Sequence, residues 1–452
     1  MIQQIKSYVD KKFGVFGATR RQEISRLLFE ISKREKIAPE TILQELPNAS
    51  VGAIHELPLR FDDIKNYLVR RRFPTITAAE KPKNIHTLLT DVNINPNHRF
   101  ELNNHHKIIP KNIFIEESVA ETDLAKRLPQ KLPQANFQTI ARYRDYIRGK
   151  RYGTQAYNER TDNFFIVREN YDFFKRCPCS CKSVSCGYHV FNLGQGCAFE
   201  CTYCYLQDYI NSPGIVLPAN IEDFFTAFAD YKQDIRVGTG EMTDSLIFDH
   251  LMEYSVAIVD FFNNYPKSTF EFKTKSDNVK LLLTTKPKAD NIIVGWSVNP
   301  QAVVESVEFY TASIEQRLMA AEKCVATGFK IAFHFDPIIY FQGWEKHYEP
   351  LVNEIFDRID AKRIAWISLG TLRISPRLKK IVEGRFPENT ILDEEMILGY
   401  DEKLRYHQKV RTDIYQKMTS WIRSRGPDVQ HYLCMEEKEV CGDCGTLAIQ
   451  KF

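Results

Sequence analysis

The chain has 452 residues, 26% charged and 43% hydrophobic, with a net charge of only +3. That length calls for two or three domains with a sizeable core. The low net charge excludes a global field of the kind that marks a whole-chain nucleic-acid binder, and no run of about 18 apolar residues is available to cross a membrane. The first residues carry no apolar stretch of signal-peptide length, so the expectation is a cytoplasmic protein with reduced thiols. Ten of its eleven cysteines cluster in two regions and read as metal ligands rather than disulfides.

In chain order, residues 1–105 are expected to form an N-terminal helical domain, with apolar positions at helical spacing over 20–36 and 61–73. Pro74 and the Pro/Asn-rich stretch at 82–96 then break the pattern. The short helices and the run Arg70-Arg71-Arg72 admit two readings: a helix-turn-helix-like binder of nucleic acid, or a plain helical bundle with a solvated basic end. Residues 106–187 form a region that ends in a cysteine cluster. Its basic, aromatic stretch at 142–152 is either a phosphate-binding surface with tyrosines to stack on bases or a solvated helix face.

Residues 188–375 alternate short apolar runs with longer helical patterns. Strands are predicted over 189–193, 235–239, 269–274, 292–298, 331–335 and 364–369, and helices over 221–231, 248–262, 314–326 and 344–359. Six repeated βα units argue an α/β fold, a partial (β/α)6 TIM-type barrel with its site at the carboxyl ends of the strands. Residues 376–452 are expected to hold a helical segment at 395–424 and a cysteine-containing tail.

Just after the first barrel strand, Cys197, Cys201 and Cys204 stand in a CxxxCxxC loop. A [4Fe–4S] cluster takes four thiolates when closed, so three in one tight loop leave one iron free to chelate the amino and carboxylate groups of S-adenosylmethionine (SAM). The competing reading is a zinc knuckle, which prefers paired CxxC units and four ligands. The second strand ends in Gly240-Glu241, where the backbone admits a close ligand and a carboxylate can meet an ammonium. Lys275 follows the third strand, suited to a cofactor carboxylate, and Ser297 and Asn299 follow the fourth, suited to ribose hydroxyls.

The cysteine loop, with an aromatic residue beside its last thiol, resembles the radical SAM superfamily. From Pro110 to the tail the chain further resembles the spore photoproduct lyase family. The carrying segments are Cys201-Thr202-Tyr203-Cys204-Tyr205, Glu241-Met242-Thr243-Asp244-Ser245, Phe272-Lys273-Thr274-Lys275, Ser297-Val298-Asn299, the Ser313 to Arg317 run, and Gly343-Trp344-Glu345. The resemblance implies reductive cleavage of SAM to a 5′-deoxyadenosyl radical that abstracts hydrogen from a C–H bond. It also implies a small reductant such as flavodoxin or ferredoxin, and a nucleobase or nucleic-acid substrate, as in DNA repair. Tyr203 and Tyr205 match the lyases' tyrosines and are the candidate catalytic residues, relaying a radical.

Two departures stand out. The lyases return hydrogen from a cysteine that aligns with Met242, and a thioether has no S–H to give. The chain also carries Cys177, Cys179, Cys181 and Cys186 before the barrel, with Cys434, Cys441 and Cys444 in the tail. If the tail folds back, these seven thiols suit an auxiliary [4Fe–4S] cluster, with a structural zinc as the alternative. Radical modification of a peptide or small molecule, and a non-catalytic Fe–S or zinc nucleic-acid-binding protein, are the rival functions.

Overall fold

A computed structural model describes residues 1–46, 60–75, 109–179 and 183–446. The chain divides into two compact units, one of residues 1–101, 339–342 and 371–414, the other of 102–338, 343–370 and 415–452.

In the larger unit, an eight-stranded sheet runs in the order His431–Leu433, Ile364–Thr371, Lys330–Ile338, Ile292–Ser297, Thr269–Thr274, Arg236–Gly238, Tyr188–Phe191 and Phe174–Arg176. The pairings from Tyr188–Phe191 through Lys330–Ile338 are parallel, as the βα rhythm requires. This is the curled, partial-barrel α/β fold expected from the six repeats. The Thr269–Thr274 strand shows how its two faces are assigned by alternation. Phe270 and Phe272 turn toward the helices, where Phe270 meets Phe262 at 4.5 Å. Glu271 and Lys273 alternate with them and take the opposite face.

The helix Ile314–Thr327 is closed at both ends: Ser313 and Gln316 form a capping box, and Gly328 ends it in a left-handed conformation. The predicted helix over 248–262 is instead two, Asp249–Met252 and Tyr254–Phe262, broken at Glu253 with φ of 58°. The Asp249 carboxylate accepts from the amide and hydroxyl of Ser255 there, at 2.9 and 2.6 Å.

A second sheet was not anticipated. Asn112–Glu116, Asn136–Ile140, Asn163–Val167 and Ile215–Pro218 pair in parallel, with Asn112–Glu116 and Asn163–Val167 in the middle. The tail also joins the barrel sheet, its strand His431–Leu433 running parallel to Ile364–Thr371.

In the smaller unit, the helices Ile2–Lys12, Ala18–Glu35, Pro39–Gln44 and Phe61–Arg72 share a core that includes Ile5, Leu27, Leu28 and Leu68. The expected helix over 395–424 starts late. Met396–Leu398 and Leu404–Tyr406 form strands with Arg373–Ile374, and the helix is Gln408–Arg425. The turn needs Glu402 at φ of 60°, which ends any helical run there. Buried ion pairs bind the helices to residues 371–414: Glu30 meets Arg26, Arg72 and Lys379 at 2.6–2.8 Å, and Arg26 reaches Glu383. Arg71 pairs with Glu35 and Glu45, so of the three consecutive arginines only Arg70 is exposed. No described helix is long and apolar enough to cross a membrane.

Candidate active site

The three-cysteine loop leaves the Tyr188–Phe191 strand and is held from several directions. Gly196, at φ of 97°, turns the chain and donates its amide to the Met242 carbonyl at 2.8 Å. Gln207 donates to the carbonyls of Cys201, Thr202 and Cys204 at 3.3, 2.9 and 3.1 Å. A two-residue antiparallel bridge sets Cys201 opposite Glu308 and Glu200 opposite Phe309.

The deepest support is Arg160, on the turn before the Asn163–Val167 strand. Its guanidinium donates to the carbonyls of Cys197 (2.6 Å), Tyr157 (2.8 Å) and Phe199 (2.7 Å), and pairs with the Glu200 carboxylate. Its charge is thus spent beneath the loop, where it is 1% exposed.

Cys197 and Cys201 are buried, and Cys204 is half-buried with Tyr203 and Met242 against the same cluster. Burial, reinforced by Asp244 and Cys204, pushes the Cys197 thiol up to about 12. Burial raises Cys201 well above its ordinary value and raises Cys204 as well. A metal held by these thiols would have to supply the free energy that deprotonates them.

Beside the loop, the Arg236–Gly238 strand opens into a tight turn. Gly240 has φ of 95°, and a Cβ there would stand 2.6 Å from Lys273 Cβ and 2.8 Å from its carbonyl oxygen. Asp244 locks the turn, accepting from the amides of Leu246 and Ile247 at 3.0 Å, from Lys275 N at 2.7 Å and from Thr274 Oγ1 at 2.7 Å. Glu241 has a buried Oε2 without a hydrogen-bond partner among the described residues, and burial raises its carboxyl. Tyr205 donates its hydroxyl to the Glu241 carbonyl.

Tyr203, Lys275 and Asn299 meet around Glu308. That carboxylate accepts from the Tyr203 hydroxyl, from Asn299 Nδ2 at 2.9 Å and from Arg317 at 2.8 Å, with Lys275 Nζ at 3.8 Å. Burial alone would raise it, but Lys275, Arg317 and the two neutral donors hold it down at about 2. Asn299 also accepts from the Tyr348 hydroxyl at 2.7 Å, so both ends of its amide are engaged. Ser297 closes the fourth strand and gives its carbonyl to Arg317 at 2.8 Å.

The remaining cysteines are more scattered. Cys177 and Cys179 have sulfurs 3.6 Å apart, and Cys181 lies outside the described residues. Cys186 packs beside Tyr432 and Trp366. The tail folds back, with Ser183 bridged to Glu437 and Val184 donating to the Glu436 carbonyl at 3.0 Å. It carries Cys434 near Leu369 and the buried Cys441 and Cys444 on a short helical turn. Among the described residues, no three Cys, His, Asp or Glu side chains converge as a preformed metal site.

The residues nonetheless fit a SAM-chelating cluster in their chemistry. Three thiols share one loop, a glycine cradle has no room for a Cβ, and a buried carboxylate oxygen lacks a partner beside them. Glu308, Arg317, Asp244, Gln207 and Arg160 escaped the sequence reading as site residues. Arg317 stood in a noted segment, whereas Arg160 has no local signal at all.

A family model described as spore photoproduct lyase matches residues 108–432, a span that takes in the barrel and the three-cysteine loop and stops short of Cys434. The spore photoproduct lyase of Geobacillus sp. (strain Y412MC61) is 26% identical over 256 residues, 54% of this chain and 75% of that protein. The one from Bacillus subtilis (strain 168) is 24% identical over 300 residues, 64% and 85% respectively. A solved spore photoproduct lyase complexed with dinucleoside spore photoproduct superposes with a TM-score of 0.63 at 21% identity, over 73% of this chain and 100% of that one. A doubly substituted lyase with bound AdoMet and dinucleoside spore photoproduct gives 0.62 at 22%, over 73% and 99%. These structures share the fold, and the family model spans most of the chain: it belongs to the spore photoproduct lyase family, enzymes of the radical SAM superfamily.

Proposed function

We propose that the chain uses SAM at a [4Fe–4S] cluster held by Cys197, Cys201 and Cys204 to abstract hydrogen from a nucleobase in nucleic acid. The observation that carries this is Glu241 Oε2, buried without a hydrogen-bond partner among the described residues, on the turn whose Met242 carbonyl accepts from Gly196 at the start of the three-thiol loop. A bound reduced cluster supplies the electron that cleaves SAM to a 5′-deoxyadenosyl radical.

The chain's own residues bind and orient. Glu241 meets the ammonium of SAM, which offsets the cost of its burial. Lys275 faces the cofactor carboxylate while Glu308 keeps it anchored, and Ser297 and Asn299 border the ribose. Glu308 also fixes the ring of Tyr203 next to Cys204, whereas Tyr205, 40% exposed, stands at the opening toward substrate. Since Met242 has no S–H, hydrogen returns to the substrate by a route other than a thiol at that position; Tyr205 is the candidate donor, and the phenoxyl radical it leaves takes one electron from the reductant and one proton to regenerate. The upstream and tail thiols hold an auxiliary [4Fe–4S] cluster or zinc, and a flavodoxin or ferredoxin supplies the electron.

The test is anaerobic reconstitution with iron and sulfide, then SAM and dithionite, with 5′-deoxyadenosine read by chromatography. The wild type forms it and Cys204→Ala does not. An iron-loaded wild type that binds SAM yet forms none would overturn the assignment in favour of a non-catalytic binder.

A further inference from the structure

The stretch 142–152 packs its rings inward and its charges outward. Tyr143 and Tyr146 lie 4.9 and 5.3 Å from the ring of Phe165, and Tyr146 is 5.3 Å from Phe114, so both rings are fastened to the second sheet. The Glu116 carboxylate, buried, accepts the Tyr143 amide at 2.7 Å. Arg142, Arg144, Arg148, Lys150 and Arg151 are all exposed, and the one acid among them, Asp145, pairs with Arg148 at 2.7 Å. The stretch carries a net +4 in eleven residues, more than the +3 of the whole chain.

The ridge is also tied to the segment that leaves the three-cysteine loop. The Tyr143 hydroxyl donates to Ser212 Oγ at 2.7 Å, and the Tyr152 amide to Asn211 Oδ1 at 2.9 Å. Between that loop and Asn211 stand Tyr205 and Tyr209, 40% and 64% exposed, with ring centroids 5.6 Å apart.

We infer that this ridge grips the phosphodiester backbone of the nucleic acid whose base enters the site, an inference that rests on the nucleobase reading above. A protein partner needs apolar anchors at the centre of its interface, and the ridge's two central rings are half-buried against the second sheet instead of standing free. Phosphates need only charge and donors, which position a strand without reading its sequence. The exposed tyrosines offer faces for bases passing from the ridge toward the cysteine loop.

Fluorescence anisotropy of the full chain with a labelled DNA duplex tests this, comparing wild type with Arg142→Gln/Arg144→Gln/Lys150→Gln/Arg151→Gln. If five cations each neutralise one phosphate, raising salt from about 50 to about 200 mM weakens the wild type about 500-fold. With Arg148 alone remaining, the same step weakens the variant only about 3- to 4-fold. The corresponding Lys substitutions, with Lys150 retained, keep the wild-type slope, which separates charge from folding. Unchanged affinity and slope in the Gln variant overturn the inference. So does displacement of the duplex by polyglutamate at equal charge concentration, which would mark an acidic protein as the partner. With no nucleic acid present, both proteins should form 5′-deoxyadenosine from SAM and dithionite equally; loss of that product from both would refute the catalytic reading while leaving the ridge to be judged by its salt slope.

Discussion

Arg160 makes the strongest single claim about what holds the cysteine loop. In Arg160→Met the side chain still fills its place beside the Tyr157 ring, over which the guanidinium sits at 4.1 Å, but the charge and its donors are gone. The Glu200 carboxylate, 5% exposed, loses its guanidinium, and the carbonyls of Cys197, Tyr157 and Phe199 lose a donor. Removing one partner of a buried pair costs about 3–5 kcal/mol. Each stranded carbonyl adds about 1 kcal/mol unless water reaches it.

That sum is comparable with the whole stability of a typical domain, so the loop opens before the rest unfolds. Amide hydrogen exchange over 197–204 and chemical denaturation measure the two levels. Arg160→Met/Glu200→Gln removes the buried charge that has lost its guanidinium and should recover about 2 kcal/mol or more of the loss. A single variant within about 1 kcal/mol of wild type, or a double variant no better than the single, would refute the account.

Gly240→Ala forces a Cβ onto the Lys273 backbone from a left-handed conformation, and should weaken SAM binding at least tenfold by equilibrium dialysis while the chain stays folded. Glu271 lies inside the barrel, 3.0 Å from Arg236 and 2.6 Å from His334 Nε2. Burial would raise its carboxyl, but Lys273, Arg236 and His334 hold it well below the ordinary carboxylate range. A carboxyl depressed on folding stabilises fully above its unfolded value and loses that stabilisation as pH falls below about 4.5. Glu271→Gln should therefore be less stable than wild type at neutral pH, with the gap closing on acidification. A gap that is constant with pH would show that the charge is not responsible. Met242→Cys places a thiol beside the cysteine loop. With dinucleoside spore photoproduct it should raise the yield of repaired dinucleotide without changing 5′-deoxyadenosine formed in its absence; no gain would mean that position 242 does not face the substrate.

What could be read in advance depended on how far apart in the chain the cooperating groups lie. The barrel strands were legible because each is a local apolar or alternating run: in Thr269–Thr274, Phe270 and Phe272 go to the helices and Glu271 and Lys273 to the other face, while Ile292–Ser297 is buried almost throughout. The second sheet was not, because Ile215–Pro218 lies inside the barrel stretch of the chain yet pairs with Asn163–Val167 some fifty positions earlier. The stretch after Glu395 looked helical by composition, yet the turn around Glu402 makes it a hairpin.

The site divides in the same way. The three cysteines must sit within one loop to share a cluster, so their spacing is written locally. Arg160 reaches Cys197 across 37 positions and Tyr203 finds Glu308 across 105, and neither contact leaves a periodic trace. Local chemistry marks the candidate ligands, while the groups that fix the geometry and charge around them come only from tertiary packing. The same logic applies to the stretch 142–152. Its charges were legible at once, but only packing shows that Tyr143 and Tyr146 are fastened to Phe165 of the second sheet.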